Sequence, residues 1–183
     1  MIRNSKSTWG WPAILLHWIG AILILLLLGH GWWMTHLAPR PDRAAHYAGH
    51  AALGYDFLAL LIIRLLWRWL NTVPALPDAL KPWERYAART GHVGLYVLMF
   101  AAALSGWALA ATGRRIFQQD VFGLTVPLIY TSKDAAMHGL LEDTHMIFSY
   151  LLAALVLVHL AGALRHHFFK HNAILRRMIG MRA

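Results

Sequence analysis

The stretch "LLAALVLVHLAGAL", residues 151–164, is apolar at every position but one. Its other residues suit a helix facing lipid, and His159 does not. An ionisable side chain at membrane depth is costly and points to a function. What His159 is for depends on what surrounds it. The run belongs to an apolar stretch, Thr144–Leu164, long enough to cross a bilayer, which takes about 20 residues of helix. Three more stretches of that length precede it: Ala13–Met34, Ala44–Ile63 and Gly91–Thr112.

Composition agrees. The chain of 183 residues is 58% hydrophobic and 14% charged, with mean hydropathy +0.47, whereas soluble domains carry about 25% charged residues. The expected fold is an all-α membrane protein, a bundle of four transmembrane helices forming a single domain over residues 1–183. Arg3 and Lys6 precede the first apolar run as they would in a signal peptide. That run is longer than a signal core and no A-x-A site follows, so it reads as an uncleaved anchor. The absence of cysteine excludes disulfides, thiolate metal sites, iron–sulfur clusters and cysteine nucleophiles. The connections 35–43 and 71–90 are rich in proline and charge, as interfacial loops are. The third, 113–143, is the longest, and its 122–130 segment is expected to lie along the membrane surface.

The net charge of +9 is distributed unevenly. The N-terminus, the second connection with its flanks and the C-terminus hold twelve of the 17 basic residues: Arg3, Lys6, Arg64, Arg68, Lys81, Arg85, Arg89, Arg165, Lys170, Arg176, Arg177 and Arg182. The other side holds Arg40, Arg43, Arg114, Arg115 and Lys133. By the positive-inside rule both termini face the cytoplasm. The basic balance is a matter of topology and not of nucleic acid. On the outer side the acids cancel the bases, so a basic funnel that would steer an anion must be local, with Arg114 and Arg115 as the candidate pair.

The fourth span carries two histidines, His145 and His159. On a helix they fall within about 40° of one face and lie about 21 Å apart along the axis. Each has a counterpart at its own depth: His17 in span one is level with His159, and His50 in span two is level with His145. Four histidines on three helices thus make two pairs, one per leaflet. A lone membrane histidine is usually accounted for by an interhelical hydrogen bond. Two depth-matched pairs suit two low-spin haems held between helices by axial imidazoles, and zinc would want a four-ligand cluster. Gly20, Gly49, Gly54, Gly91, Gly94, Gly106 and Gly162 either allow close helix packing or make room for a flat macrocycle.

The segments "LLHWIG" (15–20), "GHAALG" (49–54), "RLLWRW" (64–69), "GHVGLY" (91–96), "FGLTVP" (122–127) and "THMIFSYLLAALVLVHLAGALRHHFFKHNAIL" (144–175) resemble the bacterial cytochrome b561 family, in order and over nearly the whole chain. The resemblance implies a four-helix, dihaem protein of the bacterial inner membrane. It places His17, His50, His145 and His159 on the axial ligands, paired His17 with His159 and His50 with His145. It implies two haem b groups and electron transfer involving ubiquinone. One branch of the family oxidises periplasmic superoxide and reduces quinone.

The other polar residues divide. Arg64, Arg68, His167 and Lys170, with Arg165 and His166, are candidate contacts for haem propionates or a quinone head group, or simply basic anchors at the membrane surface. His92 reads as a neighbour of the inner site and His46 as a rival outer ligand that belongs in the headgroups. His30 lies about 140° round its helix from His17 and is not expected at that site. His36, His138 and His171 read as solvated loop or tail residues, and Trp18 as a haem wall. Asp56, an acid inside a span, is either a proton relay or a hydrogen-bond partner of a neighbouring helix. The expected function is electron transfer between a periplasmic-side donor and the ubiquinone pool. A haem-binding anchor subunit of a hydrogenase or dehydrogenase is the first alternative, and a histidine-lined metal transporter the second.

Overall fold

A computed structural model describes residues 1–181 apart from 38, 40, 78, 113–119, 122–123, 129–130 and 132, and leaves the side chains of 120, 121 and 124 undescribed. Arg40, Arg114, Arg115 and Arg182 therefore lie outside the described residues, as does part of 122–130. Four long helices dominate: α1 (Trp11–His36), α2 (Arg43–Leu70), α3 (Pro82–Ala110) and α4 (Ala135–Phe168). All four are long and apolar enough to cross a membrane. A short helix α5 (Ile174–Met178) follows. Between α3 and α4, β1 (Asp120–Val121) and β2 (Leu124–Thr125) form a small antiparallel ladder.

The helices exceed the apolar stretches at most ends. Backbone groups must be satisfied inside the helix while the chain is in or near lipid, so polar interfacial residues continue the coil. Pro82 starts α3 in the first turn, where it loses no hydrogen bond. Asp134 caps α4, its carboxylate accepting from Ala136 N at 2.9 Å. That cap places His138 inside α4, not in a loop.

Backbone-close packing runs α1 to α2, α2 to α3 and α3 to α4. Among the described residues, α4 packs backbone-close against α3 far more extensively than against α1 or α2. A compact apolar cluster at mid-depth ties the bundle together: Ile24 from α1, Phe57 and Leu61 from α2, Met99 and Ala102 from α3, and Leu152 from α4. Leu61 and Leu152 are only 2% and 3% exposed, at the centre of that cluster.

Both chain termini and the 71–81 connection meet at one end, here the proximal end. Ala75 N donates to Lys6 O at 2.9 Å. Asn4 Nδ2 donates to Thr72 O at 2.9 Å, and Arg177 Nη1 to Ala75 O at 2.9 Å. Trp18 Nε1 reaches Met178 O at 2.7 Å, so Trp18 fastens α5 to α1 as well as lying against His17. Glu84 sits at the hub. One oxygen accepts from Lys81 N at 3.0 Å, and the other takes Lys170 at 2.7 Å and Arg165 at 3.2 Å. Its side chain is 2% exposed, so it has few alternatives to these partners.

Replacing Glu84 by Gln removes the charge that gathers Arg165 and Lys170. The expected result is faster tryptic cleavage after Arg176 and Arg177 in the detergent-solubilised protein. Limited proteolysis followed by mass spectrometry checks it.

Candidate functional site

Two imidazole pairs span the space between α4 and the α1–α2 layer. At the proximal end His17 of α1 faces His159 of α4, ring centroids 6.5 Å apart. At the distal end His50 of α2 faces His145 of α4 at 6.2 Å. With each nitrogen about 2 Å from a shared first-row metal ion, two facing imidazoles have centroids roughly 6 Å apart. Both pairs match that spacing. His92 lies nearer to His159, at 5.5 Å.

The distal pair is embedded in a cavity of about 910 Å³ lined from all four long helices. His145 has its tautomer assigned by its surroundings. Its Nδ1 lies 2.9 Å from Ala102 O, which can only accept, so Nδ1 carries the proton. Ser105 Oγ, at 3.2 Å from Nδ1, also donates to Ala102 O. Nε2 is left with its lone pair, the condition for binding a metal. Two glycines allow the rings their positions. A Cβ on Gly106 would lie 2.9 Å from His145 Cε1, and one on Gly31 3.2 Å from His50 Cε1. An added Cβ on Gly49, Gly54, Gly91 or Gly162 meets nothing within 4 Å. His50 Nδ1 is buried with no hydrogen-bond partner among the described residues, a cost a buried polar group bears only when something else holds the ring.

The proximal pair is arranged differently. Arg64 Nη2 lies 2.9 Å from His17 Nδ1. Guanidinium can only donate, so here Nδ1 is the acceptor. Arg64 and Arg68 flank the face of Tyr96, at 5.6 and 5.9 Å from its ring centroid, a cation–π arrangement. Arg64 is thus held beside His17, with Arg68 against the same tyrosine ring. Lys170 and Arg165 are gathered by Glu84, as described above. His167 lines a separate cavity of about 190 Å³ with Phe168, His171, Asn172 and Arg176, and its buried Nδ1 has no partner among the described residues.

Other histidines occupy places the sequence did not announce. His30 belongs to the distal cluster, 5.9 Å from His50 and 5.6 Å from His46, and not to the proximal pair. His46 meets the Trp33 ring edge-on at 4.7 Å. His36 is the exposed last residue of α1, its Nδ1 at 2.9 Å from Trp32 O. His138 lines the distal cavity and pairs with Thr112. The signal for it was the seven-residue stride 138, 145, 152, 159 along α4. Ser105 gave no sequence signal, because its role depends on His145 arriving from another helix. Asp56 is exposed on the outer surface of α2 and does not line the cavity.

The residues fit the haem implied by the resemblance: the pair spacing, the preset Nε2 of His145 and the glycine-bounded walls all accommodate it. Among the described residues no group of three or more histidines and acids converges as a metal cage.

The sequence profile described as "Prokaryotic cytochrome b561" matches residues 8–181. The chain is 31% identical over 180 residues to "Cytochrome b561 homolog 2" of Escherichia coli (strain K12), covering 97% of this chain and 94% of the relative. It is 25% identical to "Cytochrome b561 homolog 1" of the same organism, over 97% and 98% of the two chains. It is 26% identical to "Probable superoxide oxidase CybB" of Yersinia pestis, over 89% and 91%.

Gly106→Ala should push the His145 ring out of place and lower the haem content per chain. Gly49→Ala should leave it unchanged. Pyridine haemochrome assay of the two purified variants decides.

Proposed function

Because the chain belongs to the prokaryotic cytochrome b561 family, a family of membrane electron-transfer proteins, we propose that it is a dihaem cytochrome b passing electrons between a periplasmic-side donor and the ubiquinone pool. The family implies b-type haem. The observation that carries the finer reading is the recurrence of one arrangement twice: facing imidazoles at 6.5 and 6.2 Å, one pair at each end of the bundle. His17 and His159 would hold the proximal haem, and His50 and His145 the distal one. When bound, each haem supplies a one-electron ferric–ferrous couple whose potential is set by the axial imidazoles and their surroundings.

The chain's own residues do the rest. Ala102 O and Ser105 hold His145 so that Nε2 faces the pair. Were His17 to hold iron through Nε2, its Nδ1 would carry the proton and Arg64, a donor only, would have to turn away from it. Arg64 and Arg68, both against the Tyr96 ring, would then offer planar, bidentate donors suited to a haem propionate or a quinone head group. His167 and Lys170 are the further candidates at that end. The apolar cluster around Leu61 and Leu152 excludes water between the two levels.

The Lys and Arg distribution supports an inner-membrane placement with both termini cytoplasmic, which makes the distal pair periplasmic. The relative named as a probable superoxide oxidase makes superoxide a donor worth testing. That reaction takes two superoxide ions, one quinone and two protons to two dioxygen molecules and one quinol.

A reduced-minus-oxidised visible spectrum of the purified protein with haemochrome quantification tests the proposal. The expected result is a split b-type α-band and about two haems per chain, with His159→Ala or His17→Ala losing one. Absence of haem in the wild-type protein refutes it.

A further inference from the structure

The chain turns sharply where α4 ends. His171 adopts φ 47°, left-handed backbone that a residue with a side chain keeps only where its surroundings hold it. Asn172 holds it here. Its N donates to His166 O at 3.2 Å, and its Nδ2 donates to His166 Nδ1 at 2.8 Å. The turn brings α5 against α4, where Trp18 fastens Met178 O and Arg177 fastens itself to Ala75 O. Between the end of α4, the turn and α5 lies the cavity of about 190 Å³ lined by His167, Phe168, His171, Asn172 and Arg176. None of these residues lines the large distal cavity.

The polar groups of this smaller cavity suit a phosphate. His167 Nδ1 is buried without a hydrogen-bond partner among the described residues, and a buried polar atom facing a cavity calls for a ligand or water. Arg176 is exposed. Among the described residues it has no carboxylate partner, since Glu84 is taken by Arg165 and Lys170. Residues 165–183 include five Lys and Arg and no acid. A guanidinium fork and an imidazole on one small cavity offer N–H donors to a tetrahedral oxyanion. A volume of about 190 Å³ is several times that of a water molecule, enough for one phosphate group.

The apolar neighbours identify the carrier. Phe168, in the lining, is 61% exposed, and Phe169 beside it is 81% exposed. Both stand at the C-terminal end of a helix long and apolar enough to cross a membrane. Exposed rings at that depth lie against acyl chains just beneath the headgroups. A phosphate held there with hydrocarbon alongside belongs to a phospholipid. With no acid in this stretch, a lipid ammonium finds no partner, so an anionic headgroup is preferred to a zwitterionic one.

We propose that this cavity binds the phosphate of an anionic phospholipid, with the Arg176 guanidinium and His167 Nδ1 as its donors. His167, a candidate above for an anion at the proximal pair, has this partner in its own cavity instead. The bound lipid fastens the turn and α5 to the membrane surface, and the site does not depend on haem.

Native mass spectrometry of the full-length protein as purified in detergent tests this, with dioleoyl phosphatidylglycerol, dioleoyl phosphatidylcholine or inorganic phosphate added in graded amounts. Expected is one retained phosphatidylglycerol per chain, weaker retention of phosphatidylcholine, and displacement by inorganic phosphate only at far higher concentration. Arg176→Gln, at an exposed position, should weaken phosphatidylglycerol retention about tenfold, as loss of a charged hydrogen bond does. His167→Phe keeps a ring and removes Nδ1, and should weaken it by a smaller factor. Arg3→Gln removes the same charge at the same end without touching the cavity, and should leave retention unchanged. Wild-type retention in Arg176→Gln overturns the inference. So does an equal fall in Arg3→Gln, which means general attraction to a basic end. Equal retention of the two lipids, or binding of inorganic phosphate in preference to either, overturns the choice of ligand.

Discussion

Four imidazoles at membrane depth impose the constraint on which the bundle depends. Lipid offers them no hydrogen-bond partner, so each must be met from another helix or by a ligand. They face one another in pairs, ring centroids 6.5 and 6.2 Å apart, across the space between α4 and the α1–α2 layer. Helices free of such a constraint approach through small residues and pack tightly, as α3 and α4 do. What joins α4 to the α1–α2 layer is the apolar cluster at mid-depth, and above and below it the paired rings.

The two ends solve the imidazole problem differently. At the distal end the protein has already chosen the tautomer: Ala102 O, Ser105 and the missing side chain at Gly106 leave His145 Nε2 ready. At the proximal end Arg64 occupies Nδ1 of His17, which leaves the ring proton on Nε2. The charged groups follow the same division. Guanidinium groups crowd the proximal pair around Tyr96, whereas the distal cavity is bounded by hydroxyls, aromatic rings and one residue of each charge. A site with two adjacent cations favours an anionic group, and one with a balanced, apolar lining favours a neutral ligand.

Much of this was legible in the sequence because it depends on spacing. The fourteen residues between His145 and His159 put both on one helical face, and depth alone matched them with His50 and His17. What could not be read depends on other chains of contacts. The helices extend past the apolar stretches because interfacial residues such as those of 64–70 satisfy their backbone inside the coil, which hydropathy does not register. The polar segment "KDAAMHGLLEDT" (133–144) reads as a loop and His138 with it, although Asp134 there is a serviceable N-cap. Of the seven glycines singled out, Gly106 presses on an imidazole, and Gly31, not among them, does the same. That distinction exists only once the partner helix is in place. Glu84 gathers Lys170 and Arg165 across some eighty residues of sequence, a pairing with no local signature.

The stride of α4 also explains why two histidines on one helix face partners on two different helices. Seven residues fall short of two full turns of an α-helix by about 20°, so a stripe of every seventh residue winds slowly round the axis. From His145 through Leu152 to His159 the stripe turns by about 40°. At the distal level it faces α2 and His50, and at the proximal level it faces α1 and His17. Since α1 and α2 are packed side by side, that rotation carries the stripe from one neighbour to the other. An exact heptad repeat kept in register by supercoiling would have directed both histidines at the same helix. A straight helix, with no coil imposed on it, is therefore sufficient to distribute the two pairs over three helices, and Leu152 midway between them is where the stripe crosses the apolar cluster.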